Sequence, residues 1–253
     1  YRFRCATPCW GIRWLPGATW RIGTDIGGTF TDVAMVHEET GRIGIAKVLT
    51  TPDDFGRGTV DGLRQGLAGQ AIDAADVAVL AHATTVVTNA LLEGKGARAG
   101  FVATRGFRDI LELRRSSRPD LYDLFQDGPA VLIPRRHRWE ITERIDAQGQ
   151  VATPLAEDEL PALIEAIRAA GVQTVAVSLL FSFLNDAHER RIGDALRAAL
   201  PGVGVFLSCE VLPEIREFER ASTTGVCAYV GPLLASYLEK LSAATRALGL
   251  PAL

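Results

Sequence analysis

Two aspartates bracket a pair of glycines in Asp25-Ile26-Gly27-Gly28-Thr29-Phe30-Thr31-Asp32, the stretch whose residue types are best suited to chemistry. Adjacent glycines let a backbone turn tightly and approach a ligand closely. The N–H groups that follow, with the Thr29 and Thr31 hydroxyls, are donors for phosphate oxygens. Asp25 and Asp32 offer the hard oxygens that magnesium takes, directly or through water. The common phosphate loop looks different, because Gly-x-x-x-x-Gly-Lys-Ser/Thr is absent and these glycines lead into a strand instead of a helix. An ordinary Gly-Gly hairpin uses the same residues, so spacing alone leaves both readings open.

A second cluster, Thr84, Thr85, Thr88 and Asn89, falls where a β-favouring run gives way to helical spacing. Backbone N–H groups at a helix start, assisted by hydroxyls, suit an anion or a carbonyl oxygen. Simple capping by Thr84 or Thr85 accounts for the same residues. His82 has no metal-ligand partner near it in the chain and reads as a packing histidine. Further on, Glu214, Arg216, Glu217, Glu219 and Arg220 precede Ser222-Thr223-Thr224. Most charged runs of this kind are solvated helix faces with i,i+4 pairs.

Positioning these groups requires a framework, and its elements are visible in the hydrophobic periods. Residues 21–26 and 31–36 predict two strands of a hairpin through Gly27 and Gly28, with a third strand at 43–49. Asp53 is placed to cap a helix whose buried face carries Phe55, Val60, Leu63 and Leu67. Strand-then-helix units follow, 77–81 into 86–93 and 99–103 into 107–113, which is α/β organisation. Residues 116–134 hold three prolines and predict a long loop. Strands at 138–145, 174–181 and 203–207 then alternate with helices at 157–170 and 187–199. Residues 221–248 are helical by pattern, with Gly225 and Gly231-Pro232 expected to break or bend them.

A chain of 253 residues, 47% hydrophobic, can bury one large core or two small ones. Its net charge of -3, with both signs interspersed, gives no cationic face for nucleic acid. No apolar run approaches the roughly 18 residues of a membrane span, so a cytoplasmic protein is expected. Cys5, Cys9, Cys209 and Cys227 are too sparse for a disulfide framework and lack the pairing of a zinc site. Residues 1–20 carry three of the four tryptophans without a hydrophobic period and read as an atypical extension, disordered or a gene-start artefact.

The string Gly23-Thr24-Asp25 through Asp32 resembles the first phosphate motif of the actin/sugar-kinase ATPase superfamily. Its Gly-Gly-Thr-Phe-Thr-Asp form is similar to that of the hydantoinase A/5-oxoprolinase family. His82-Ala83-Thr84-Thr85-Val86-Val87-Thr88-Asn89-Ala90-Leu91-Leu92-Glu93 resembles a second family block, with Ala83 in place of the usual glycine. Thr104-Arg105-Gly106-Phe107-Arg108-Asp109, then Arg118-Pro119 with Leu121-Tyr122-Asp123, then Glu143-Arg144-Ile145-Asp146, are similar to further blocks in the family's order. A last block runs from Ser208 to Tyr229, where Cys209 takes the common histidine position and Cys227 the asparagine position. A thiol cannot replace the paired donor and acceptor of an amide, and Cys227 reads as a small buried residue.

The resemblance implies an α/β fold, a mixed-sheet, actin-like (ribonuclease H-like) ATPase lobe with an inserted α/β subdomain. Its divisions would be the extension at 1–20, the family's N-terminal region at 21–200, and the start of a central or catalytic region at 201–253. ATP and Mg2+ are the implied cofactors, held by Asp25, Gly27, Gly28, Thr29, Thr31 and Asp32, with Thr84, Thr85, Asn89, Glu219 and Arg220 lining the cleft. No residue is assigned to bond cleavage. The implied reaction is ATP-dependent opening of a small cyclic amide such as 5-oxoproline or a hydantoin, through phosphorylation of its carbonyl. ATP-driven carboxylation of a ketone such as acetone is the alternative. A third reading is a lobe that needs a second hydantoinase-type subunit or a separately encoded C-terminal part, since no second phosphate motif or adenosine segment is recognisable. A sugar-kinase-like phosphotransferase shares the hairpin, but the blocks around Asn89 and Ser222 fit the hydantoinase type better.

Overall fold

Alternating buried and exposed side chains build the first sheet. Strands β1 (Trp20–Ile26), β2 (Phe30–His37) and β3 (Ile43–Leu49) run antiparallel to their neighbours, as their periods predict. On the inner face lie Ile22, Ile26, Val33 and Met35, which are almost wholly buried. Helix α1 (Phe55–Gln70) covers that face with Leu63 and Leu67. It lies close because Gly62 and Gly66 face the sheet: a Cβ on Gly62 would stand 3.0 Å from Val33, and one on Gly66 2.9 Å from Met35. Strand β4 (Val77–Thr84) joins parallel to β1, giving the order β3-β2-β1-β4, and short helix α2 (Val86–Leu92) follows it. Within this sheet β3 is an edge, and its outer face exposes Ile43, Ile45 and Leu49.

The described residues are 19–51, 55–116, 120, 122, 123, 125 and 130–252 of this computed structural model. The expected cap at Asp53, the block at Arg118, Pro119 and Leu121, Cys5 and Cys9 lie outside them. Two compact units result, one of the described residues up to Glu93 with those from Leu234 onward, the other Gly94–Leu233. No helix among the described residues is long and apolar enough to cross a membrane.

In the second unit β5 (Ala99–Thr104) leads through α3 (Ile110–Leu113) to β6 (Arg138–Ile141), then to a small hairpin of β7 (Arg144–Ile145) and β8 (Val151–Thr153). Next come α4 (Leu160–Ala170), β9 (Thr174–Ser178), α5 (Ala187–Ala199), β10 (Gly204–Leu207), α6 (Ser208–Val211) and the start of the long helix α7 (Glu217–Ala247), whose residues from Leu234 onward belong to the first unit. The four strands β10-β9-β5-β6 are all parallel. Every residue of β5 and β9 is buried, as expected of parallel strands covered on both faces.

Three predicted elements change. The helix at 107–113 shrinks to α3, which stops at Arg114 with φ 54. The strand at 138–145 divides into β6 and β7 in different sheets, because both the N–H and the hydroxyl of Thr142 turn to the Glu159 carboxylate at 2.9 and 2.8 Å. Of the break or bend expected at Gly225 and Gly231-Pro232, no break occurs, and α7 continues through Pro232. Proline cannot donate to the carbonyl four residues before it. That carbonyl, on Ala228, instead accepts a 2.8 Å hydrogen bond from the buried Thr174 hydroxyl. Thr174→Val is therefore expected to lower unfolding free energy by about 1–3 kcal/mol, the cost of a buried carbonyl left unpaired. A urea midpoint unchanged from the parent would show that the helix tolerates Pro232 by other means.

Candidate phosphate-binding site

Strand pairing places Asp25 directly opposite Asp32, and Ile26 opposite Thr31. Residues opposed in an antiparallel pair share a face, so the two carboxylates stand side by side on the exposed surface of the hairpin. Between them the chain turns through Gly27, Gly28 and Thr29, closed by a 2.9 Å bond from the Gly27 N–H to the Phe30 carbonyl. Gly28 and Thr29 are exposed, and a Cβ built on Gly28 meets nothing within 4 Å. Thr50 fixes this turn from below. Its N–H bonds the Thr29 carbonyl at 2.9 Å and its hydroxyl donates to the Gly27 carbonyl at 3.0 Å.

Thr31, expected among the phosphate donors, points the other way. It is fully buried and its hydroxyl meets that of Thr50 at 3.2 Å. The period of two is the reason: with Asp32 outside, its neighbour must face the core. Lys47 was not among the predicted residues. It sits opposite Asp32 on β3, its Nζ 2.9 Å from the Asp32 carboxylate and 4.7 Å from the centre of the Phe30 ring. The hairpin therefore presents two carboxylates and one ammonium in a row across three strands.

The parallel register brings the second cluster beside the first, with Asp25 level with Ala83 and Ile26 with Thr84. The Thr84 hydroxyl accepts from the Val86 N–H at 3.1 Å, the local capping that was the plainer of its two readings. Thr85 donates its hydroxyl to the Ile26 carbonyl at 3.3 Å, tying the start of α2 to the end of β1. Asn89 lies one turn into α2, half-buried. His82 is engaged at both ring nitrogens, Nδ1 by Thr24 at 2.6 Å and Nε2 by the Tyr237 phenol at 2.5 Å. Burial pulls its pKa below the ordinary imidazole value, against the opposing pull of the Asp25 charge.

Glu219 and Arg220 belong to the second unit. Glu219 pairs with Arg115 at 2.5 Å, and that hydrogen bond holds its carboxyl below the usual range. Arg220 is fully buried, contrary to the solvated face that its charged run suggested. It donates to the Leu179 carbonyl at 2.5 Å and to Glu217, and stacks over Phe183 at 5.2 Å. Its Nε and Nη1 find no partner among the described residues, so the guanidinium keeps donor capacity although solvent does not reach it. Cys209 and Cys227 are free thiols. Burial and the Glu189 carboxylate push the Cys209 thiol up to about 12, and burial raises Cys227 as well, so neither is poised as a nucleophile.

No group of three or more histidine, cysteine or carboxylate side chains among the described residues is arranged to hold a metal ion alone. A divalent cation that shares its coordination with phosphate oxygens and water needs fewer protein ligands, and Asp25 with Asp32 suits that case. The exposed, unfilled space over Gly28 suits a bulky anion beside it.

Residues 21–200 match the family described as the hydantoinase/oxoprolinase N-terminal region. The chain is 39% identical over 241 residues to the caprolactamase subunit alpha of Pseudomonas jessenii, covering 91% of this chain and 34% of that one. The solved structure of the ATP-dependent caprolactamase from the same organism superposes with a TM-score of 0.83 at 37% identity, over 92% of this chain and 34% of the other. Nucleotide-free acetone carboxylase superposes equally well, TM-score 0.83, at 25% identity over 92% of this chain and 35% of the other. The mixed α/β architecture is the one these structures share, consistent with an actin-like lobe. The chain spans about a third of the length of some of the curated relatives it matches and about a fifth of others.

Proposed function

Because the chain belongs to the hydantoinase/oxoprolinase N-terminal region family, we propose that it forms the phosphate-binding part of an ATP-dependent enzyme that opens a cyclic amide. The observation that carries this reading is the pair of opposed, exposed carboxylates, Asp25 and Asp32, on either side of the open turn at Gly28. Magnesium held there with the nucleotide would supply charge neutralisation for the phosphates. Asp25 and Asp32 would orient its water shell, Lys47 would balance their charge, and the exposed backbone at Gly28 and Thr29 would approach the phosphate oxygens.

An unactivated amide carbonyl is a poor electrophile. Transfer of the terminal phosphoryl group of ATP to the carbonyl oxygen releases ADP and turns that oxygen into a leaving group. Water then adds to the carbon, the C–N bond of the adduct breaks with a proton passing to nitrogen to leave an acyl phosphate, and a second water hydrolyses that to phosphate and the carboxylate of the ring-opened amino acid. In this scheme the residues of the hairpin bind and orient; the group that directs water is not assigned. The likeness to acetone carboxylase favours a second reading, in which the activated carbonyl compound is a ketone that reacts with an activated carbonate species. Since the similar caprolactamase chain is a subunit, a second subunit of hydantoinase type is the partner we propose, and ATP as co-substrate suits a cytoplasmic location.

The test is ATP consumption by the full chain, alone and co-expressed with a family-type partner subunit, with 5-oxoproline, hydantoin, caprolactam, or acetone plus bicarbonate. ADP release matched by ring-opened product supports amide opening, and release matched only by acetoacetate transfers the site to the carboxylase reading. Failure of the co-expressed pair to bind or consume ATP with any of the four would overturn both.

A further inference from the structure

The hydrogen bonds around His82 can be ordered in one direction. The Thr84 hydroxyl accepts from the Val86 N–H, which leaves its proton free to donate, and Thr84 and Thr59 both neighbour the Tyr237 phenol, whose pKa their hydrogen bonds lower against the larger effect of burial. In that order Tyr237 gives its own proton to His82 Nε2, 2.5 Å away. That makes Nε2 the acceptor nitrogen and leaves the proton of a neutral imidazole on Nδ1, which faces the Thr24 hydroxyl at 2.6 Å. Thr24 in turn directs its hydroxyl at the Ala81 carbonyl at 3.5 Å, a long final link. A charged imidazolium would put two donors face to face at Tyr237 and break the order; the burial that lowers the His82 pKa works against that state.

The elements that carry these groups, β1, β4, α1 and the C-terminal part of α7, lie in the same unit as the phosphate hairpin. Thr24 immediately precedes Asp25 on β1, and His82 is its register partner on β4. Thr84 is level with Ile26, and Thr59 is buried in α1. Tyr237 belongs to α7, where its ring packs with Ile26 and Leu241. None of these groups reaches the exposed face that Asp25 and Gly28 present, so they act through the backbone that carries those residues.

We propose that Thr84, Tyr237, His82 and Thr24 form a directed hydrogen-bond chain that sets the position of Asp25 and of the Thr84–Thr85 turn for nucleotide binding, with His82 and Tyr237 as its positioning residues. This rests on the reading of the hairpin as a phosphate site. Its distinguishing consequence is a loss of nucleotide affinity without a comparable loss of fold, since the tyrosine ring and the histidine packing can be kept while single hydrogen bonds are removed.

The experiment measures the affinity of the full chain for Mg-ATP by calorimetry, with thermal melting in parallel, for Tyr237→Phe, Thr24→Val, Thr24→Ser and Asp25→Asn. Tyr237→Phe and Thr24→Val are each expected to weaken binding about tenfold, the worth of one well-placed hydrogen bond, while Thr24→Ser stays at parental affinity. The double variant Tyr237→Phe/Thr24→Val should be weaker by much less than the product of the single effects, because both cut one chain. Parental affinity in both single variants, while Asp25→Asn abolishes binding, overturns the inference and leaves the phosphate reading intact. Parental affinity in Asp25→Asn overturns the phosphate reading itself. Should Tyr237→Phe fail to fold, Thr24→Val against Thr24→Ser decides alone.

Discussion

Asp25→Asn is expected to lower ATP-dependent turnover by about a hundredfold or more, the scale on which a single preorganised electrostatic contact to a reacting phosphate acts. The substitution is nearly isosteric and leaves the backbone pairing with Asp32 in place. It removes one of two like charges that face each other across the strands, a juxtaposition that by itself disfavours the hairpin. Stability should accordingly stay level or rise slightly as activity falls, and that opposite movement separates a functional carboxylate from a structural one. The measurements are kcat/KM for ATP and the melting midpoint of the same preparation. Turnover within twofold of the parent would remove Asp25 from the site.

Gly28→Ala should show the same dissociation of fold from function through shape instead of charge. The φ of Gly28 lies outside the left-handed region, and an added Cβ would touch no atom of the chain within 4 Å. The folded protein has therefore no evident need for glycine here, and the melting midpoint should move by no more than about 2 °C, the shift expected of a surface change worth under about half a kcal/mol. A phosphate lying against the turn would meet the new methyl group directly. Affinity for Mg-ATP should fall about tenfold or more, as expected when a tight backbone approach is blocked. An alanine variant that binds ATP like the parent would mean that the open space above Gly28 is not where phosphate sits.

How much of this was legible in the chain itself follows the range of the interactions concerned. The three strands of the hairpin sheet and the buried face of α1 appear in the periods of their own residues, because each is fixed by local alternation against one core. The hydroxyl of Thr31 suits a ligand's role by its chemistry, although the same alternation that exposes Asp32 buries its neighbour. Lys47 was recoverable too: once β2 and β3 are registered from their connecting turn, it stands opposite Asp32. Arg220 was not, since nothing near it in sequence foretells the Leu179 carbonyl or the Phe183 ring that receive it. Nor was the continuity of α7, which depends on a threonine 54 residues before the carbonyl it satisfies. His82 has no partner near it in the chain, because its phenolic partner lies 155 positions away.

The edge position of β3 bears on how Lys47 can be studied. A sheet edge with unpaired backbone groups is a template for another strand, and proteins commonly guard such edges with a lysine. In β3 Lys47 is the single charged residue, set among the exposed Ile43, Ile45 and Leu49. Its ammonium thus serves solubility as well as the Asp32 carboxylate. Neutralising it removes a gatekeeper, and Arg or a glutamine beside a compensating charge is the informative replacement, with light scattering run on every sample before any activity is compared.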